Sequence, residues 1–142
     1  MTVLDTNILS ETLKPAPEPA VIEWLDSLPP AECAITVITV AELLYGIGRL
    51  PHGKHRRELT AALEQILAHE FTDRILVFDA DAAVEYADIV VDRESAGRPI
   101  SMADAQIAAI CRSRQCALAT RNEPDFVDTG VQVVNPWSEV RE

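Results

Sequence analysis

Five short apolar runs punctuate the chain, at Thr2 to Leu4, Ala34 to Val37, Ile75 to Phe78, Cys116 to Ala119 and Val131 to Val134. Each is too brief for a helix and mostly uninterrupted by polar residues, the pattern of a strand buried on both faces. Between them, apolar residues recur at i, i+3 and i+4: Val21, Trp24, Leu25 and Leu28; Val40 to Ile47; Leu59, Leu63, Ile66 and Leu67; Val84, Ala87 and Val91; Ile107, Ile110 and Cys111. This spacing predicts amphipathic helices. The resulting order, β-αα-β-αα-β-αα-β-α-β, predicts an α/β fold: a three-layer α/β/α arrangement around a central, mainly parallel five-stranded sheet joined by right-handed crossovers. Pro15, Pro17 and Pro19 end the first helix early, Pro29-Pro30 close the next, and Gly97 caps another.

Size and composition narrow the class. A chain of 142 residues, 48% hydrophobic and 25% charged, predicts one folded domain over residues 1–142. No repeat or Gly/Ser-rich linker divides it. The longest apolar stretch, Cys33 to Ile47, contains Thr36, Thr39 and Glu42, so no membrane span is expected. No basic-then-apolar leader opens the sequence, and the expected location is cytoplasmic. Three cysteines without a CxxC pair predict reduced, partly buried thiols rather than disulfides or structural zinc.

Charge changes the picture more. With 23 acids against 12 Lys and Arg, the formal net charge is -11. Such a protein repels a polyanion at long range, and a phosphate substrate would need help from a cation. The one basic island, His52, Lys54, His55, Arg56 and Arg57, is expected in a loop before a helix. Lys54, Arg56 and Arg57 are candidate RNA contacts there, and a solvated loop is the plainer reading.

Ligands of an open parallel sheet bind beyond the carboxyl ends of its strands. The first strand runs directly into Asp5-Thr6-Asn7, and the second is followed by Thr39-Val40-Ala41-Glu42. The fourth ends in Thr120-Arg121-Asn122 with Asp125 shortly after, and Asp104 opens the helix leading into it. Asp5, Glu42, Asp104 and Asp125 therefore converge on one edge, beside Thr6, Asn7 and Thr120. Singly, each acid reads as a helix cap: Thr39-x-x-Glu42 and Ser101-x-x-Asp104 match capping boxes, Asn122-x-x-Asp125 imitates one, and Asp5 sits where a cap would. Jointly, four carboxylates repel one another, and a hard divalent cation removes that repulsion. Oxygen-only ligands favour Mg²⁺ or Mn²⁺ over zinc. Such an ion activates water and clamps phosphate oxygens, with Thr6 and Thr120 as water or metal contacts and Arg121 as a phosphate contact. Trp24 and Trp137 are base-stacking candidates, with core packing the plainer role for Trp24; Leu43, Leu44 and Tyr45 suit core or dimer surface alike.

These residues also carry a resemblance. Val3-Leu4-Asp5-Thr6-Asn7, Ala41-Glu42-Leu43-x-x-Gly46, Gly97-Arg98-Pro99-Ile100 through Asp104-Ala105-Gln106-Ile107-Ala108-Ala109, and Leu118-Ala119-Thr120-Arg121-Asn122 followed by Asp125-Phe126 resemble a PIN domain from residue 3 to Pro136. Within that family the chain is most similar to VapC toxins of bacterial type II toxin–antitoxin pairs, including the FitB-like branch. The resemblance implies an Mg²⁺- or Mn²⁺-dependent endoribonuclease with Asp5, Glu42, Asp104 and Asp125 as the acidic quartet and metal ligands. It further implies an RNA substrate, a homodimer, and a cognate antitoxin whose basic C-terminal segment blocks the acidic pocket. Glu123-Pro124 departs from the usual basic or small residues in the loop carrying Asp125.

Two other classes compete. A catalytically silent module would use the acidic pocket only to bind a basic peptide. A phosphoacceptor signalling domain also gathers acids and Mg²⁺ at a sheet edge, but it wants a lysine after its last strand, and the only lysines are Lys14 and Lys54.

Overall fold

The computed structural model describes residues 1–139. Its five strands are β1 (Thr2–Leu4), β2 (Cys33–Thr36), β3 (Ile75–Leu76), β4 (Ala117–Ala119) and β5 (Val133–Val134). They form one sheet in the order β3-β2-β1-β4-β5, and every pairing is parallel. The expected mainly parallel sheet is thus wholly parallel, with the N-terminal strand at its centre.

Seven α-helices accompany the sheet among the described residues: α1 (Thr6–Thr12), α2 (Pro19–Asp26), α3 (Val37–Gly48), α4 (Lys54–His69), α5 (Ala80–Ser95), α6 (Met102–Ser113) and α7 (Pro136–Glu139). Alternation along the central strands sorts the core into two layers, since successive strand side chains point to opposite faces. Val3, Ala34 and Leu118 meet the buried faces of α5 and α6, among them Ile89, Ile107 and Ile110. Leu4, Ile35 and Ala119 meet Ile8, Leu9, Val21 and Leu63 from α1, α2 and α4. This is the expected three-layer arrangement.

Four expectations need correction. The stretch between β4 and β5 is a 3-10 turn over Glu123–Phe126 rather than an α-helix, because the segment is too short for helix nucleation. Strands β3 and β5 are only two residues long and half-buried, as edge strands paired on one side are; Phe78 lies beyond β3. The basic island does not precede a helix: Lys54, His55, Arg56 and Arg57 form the first turn of α4, leaving His52 and Gly53 in the loop. Buried leucine positions farther along set that helix's face, and the unfavourable end charge is outweighed. Finally, Thr39 does not cap α3; Thr36 does, accepting from the Thr39 backbone N–H at 3.2 Å.

Candidate active site

The carboxyl ends of β1, β2 and β4 open onto a cavity of about 370 Å³ lined by Asp5, Asn7, Glu42, Asp104, Arg121 and Trp137, with Thr6, Ser10, Glu11, Lys14 and Asn122 completing the wall. Asp5 leaves the sheet at the end of β1 and caps α1, its Oδ1 accepting from the Thr6 amide at 2.8 Å. Its Oδ2 accepts from the Thr120 hydroxyl at 2.7 Å and from Asn7 Nδ2 at 3.3 Å. Asn7 Nδ2 also donates to Thr120 Oγ1 at 3.2 Å, and Asn7 Oδ1 accepts from the Arg121 amide at 3.2 Å. The first strand's end is thereby tied to the fourth's. Thr120 is fully buried behind Asp5 and reaches the cavity only through it.

Glu42 comes from the second turn of α3 and accepts from the Thr6 hydroxyl at 2.5 Å. Asp104 comes from the first turn of α6, whose N-cap Ser101 accepts from the Asp104 amide at 3.1 Å. The capping readings of Asp5 and Ser101 are therefore correct; the Asp5 cap engages Oδ1 of its own carboxylate, whereas the Ser101 cap leaves the Asp104 carboxylate out of the capping bond. Burial pushes the Asp5 carboxyl above its ordinary range, with the negative charge of Glu42 adding to it, against hydrogen bonds from Thr120, Thr6 and Asn7. Burial likewise raises Asp104, and the charges of Asp5 and Asp125 raise it further against Ser101 and Arg93. Among the described residues, Asp5, Glu42 and Asp104 have no ion-pair partner.

Asp125 stands apart from these three. It is exposed on the 3-10 turn, lies outside the cavity wall, and is felt there only through its charge on Asp104. Lys54, Arg56 and Arg57 are not brought to the cavity either: Arg56 and Arg57 line a separate shallow depression with His52, and Lys54 is 3.7 Å from Glu58. Arg121 is at the cavity, its guanidinium 5.1 Å from the Trp137 ring centroid. Trp24 packs on the core, Leu43 is buried, and Leu44 and Tyr45 are exposed.

Sequence reasoning missed Glu11 and Lys14. Glu11 is buried and accepts from Lys14 Nζ at 2.9 Å and from the Glu18 amide at 2.9 Å, which hold its carboxyl below the ordinary range. The signal was present as spacing, since Asn7 and Glu11 lie on one face of α1 leading from Asp5, with Lys14 just past its end.

A divalent cation can be weighed against this donor set. No three His, Cys, Asp or Glu side chains among the described residues stand ready as a metal-binding cluster. Glu42 is turned onto Thr6, and Asp5 onto Thr120. Yet the acidic side chains facing the cavity offer only hard oxygens, and neither Asp5 nor Asp104 is ion-paired among the described residues, so the residues fit an ion of the Mg²⁺ class.

A family model described as "PIN domain" matches residues 2–131. Toxin FitB of Neisseria gonorrhoeae is 41% identical over 137 residues, covering 96% of this chain and 99% of that protein. VapC ribonuclease Y4jK of Sinorhizobium fredii is 37% identical over 137 residues, covering 96% and 98%. The crystal structure of FitAcB from Neisseria gonorrhoeae superposes with a TM-score of 0.92 at 40% identity, covering 97% of this chain and 99% of that one.

Proposed function

The chain belongs to the PIN domain family, and from that premise we propose that it is a divalent-metal-dependent endoribonuclease acting as the toxin of a type II toxin–antitoxin pair. The observation that carries this reading is the meeting of Asp5, Glu42 and Asp104, from three distant segments, in one cavity where none of the three is ion-paired among the described residues. The ribonuclease and toxin names of relatives at 37% and 41% identity support it.

In this reading Asp5, Asp104 and Glu42 hold Mg²⁺ or Mn²⁺, and Asp125 adds charge from the rim. The bound ion supplies an activated water and a clamp on a phosphate oxygen. The protein's own contributions are positional. Thr120 and Asn7 fix the Asp5 carboxylate, Thr6 fixes Glu42, and the Ser101 cap fixes the start of α6 beneath Asp104. Arg121, held over Trp137, presents a guanidinium to phosphate at the cavity wall, and the indole offers a face to a base. Lys54, Arg56 and Arg57 serve as a more distant backbone contact.

The same cavity suits a basic antitoxin segment. It joins an apolar groove of about 350 Å³ between α1, α3 and α4, with Leu13, Leu43, Ile47 and Leu59 in its lining and Thr6, Ser10, Lys14 and Glu42 shared by both. A segment carrying apolar residues and a terminal cation fits acid and groove together. Homodimer formation and a cytoplasmic location complete the proposal. No described helix is long and apolar enough to cross a membrane.

Incubation of the purified, antitoxin-free protein with total cellular RNA tests the reading. Discrete fragments are expected with Mn²⁺, and none with EDTA or with Asp104→Asn. Silence of a folded, Mn²⁺-bound wild type would overturn it in favour of a peptide-binding pocket.

A further inference from the structure

Arg93 is an unusual resident of the core. It lies on the buried stripe of α5 with Ala82 and Ile89, is only 5% exposed, and has no carboxylate within ion-pair distance among the described residues. Burying a cation is costly unless its donors are satisfied, and an aliphatic side chain would fill this stripe more cheaply. The guanidinium spends its rigid fork on three backbone carbonyls instead. Nε donates to Arg98 at 2.6 Å, and Nη1 donates to Asp125 at 2.8 Å and Val127 at 2.7 Å.

Those carbonyls belong to two separate segments. Arg98 lies in the connection from α5 to Ser101 and Asp104 of α6, and its amide returns a bond to the Arg93 carbonyl at 2.8 Å. Asp125 and Val127 flank Phe126, which is buried in the layer beneath α5 and α6. The 3-10 turn is otherwise fixed by local bonds, from the Asp125 amide to the Asn122 carbonyl at 3.0 Å, from the Asn122 amide to Thr120 Oγ1 at 3.1 Å and from the Thr129 hydroxyl to the Phe126 carbonyl at 2.7 Å, none of which reaches the connection before α6. An Arg98–Asp128 pair at 3.6 Å crosses the same junction from the exposed side.

We propose that Arg93 is a positioning residue that holds the turn bearing Asp125 against the connection leading to Asp104. The inference rests on the metal-centre reading above for its consequence, though not for its geometry. Arg93 touches neither substrate nor ion; besides the charge it presents to Asp104, which Arg93→Lys retains, it acts through where it keeps Asp125.

The test is a double-mutant cycle read by Mn²⁺ affinity in calorimetry, with amide hydrogen exchange over residues 122–127 as a second readout. Arg93→Met is expected to weaken Mn²⁺ binding by up to about 10-fold, the scale on which displacing one rim charge acts. In an Asp125→Asn background the same change should add almost nothing, because the two act as a unit. Arg93→Lys, which keeps the charge but cannot bridge three carbonyls, should behave like Arg93→Met and guards against a variant that fails to fold. Exchange should accelerate in the turn and not in β1 or β4. Equal losses of affinity in both backgrounds, full rescue by lysine, or exchange that rises uniformly through the protein would each overturn the proposal. Unchanged Mn²⁺ affinity in Asp5→Asn, Asp104→Asn and Asp125→Asn would instead sink the metal centre, and the exchange pattern would still decide whether Arg93 clamps the turn.

Discussion

Asp5 and Asp104 are both held above the ordinary carboxylate range, first by burial and then by the negative charges around them. A carboxyl whose folded pKa exceeds its unfolded one binds its proton more tightly when folded. The metal-free protein should therefore gain stability as pH falls from neutral through the raised values towards the ordinary value of 3.8, and lose that gain as pH rises again. Divalent-ion binding needs the ionised forms and should weaken over the same window. Asp104→Asn removes one like charge, so at pH 7 it should raise the melting temperature of the metal-free protein and cut the stabilisation by Mn²⁺. Thermal melts with and without the ion check this, and a variant less stable than wild type in EDTA would contradict it. At this scale the sequence was informative for Asp5, Thr6, Asn7 and Asp104, because each directly follows a strand or opens a helix, and for Glu42, which lies in the second turn of the helix that follows β2. It was uninformative for Arg93. An arginine on an amphipathic helix reads as solvent-facing, and its partners are carbonyls, which carry no residue identity.

The ends of elements are where local chemistry and tertiary packing compete. Helix α6 closes with the Cys116 amide bonded to the Cys111 carbonyl at 2.9 Å and the Gln115 amide to the Arg112 carbonyl at 3.3 Å, which places Gln115 at a φ of 56°. That left-handed position suits glycine, as Gly97 at 73° after α5 illustrates. Gln115→Gly should stabilise the protein by about 1 kcal/mol, or about 3 °C in melting temperature; no gain in a denaturant titration would argue against this account. The Gly97 end was legible from sequence, and the Gln115 end was not, since nothing in Gln-Cys announces a turn. Strands β3 and β5 were overestimated for a related reason. Apolar runs record burial, and Phe78 and Val131 are packed on the core without joining the ladder. The first turn of α4 shows the reverse error, where basic residues imitate a loop while the leucines beyond them set a helix.

Over the whole molecule, the alternation of apolar runs and helical stripes was enough to read a three-layer parallel fold, because crossovers between parallel strands permit few alternatives. Strand order was not legible, since it depends on which edges meet. The net charge of -11 is a property of the same scale. A basic nucleic-acid binder loses about 10³-fold or more in affinity between about 50 and about 200 mM salt. This protein, repelling RNA at long range, should change by less than about tenfold across that interval when an uncleavable RNA is titrated in fluorescence anisotropy; a thousandfold fall would mean that the Arg56 and Arg57 surface dominates after all. Strand β1 is made first, yet it lies between β2 and β4, and Asp5 accepts its hydrogen bond from Thr120 across 115 positions of sequence. A nascent chain that stops short of β4 has neither that hydroxyl nor one wall of the cavity. A ribosome translating this message thus carries an unfinished site until the codons of β4 and Thr120 have been read.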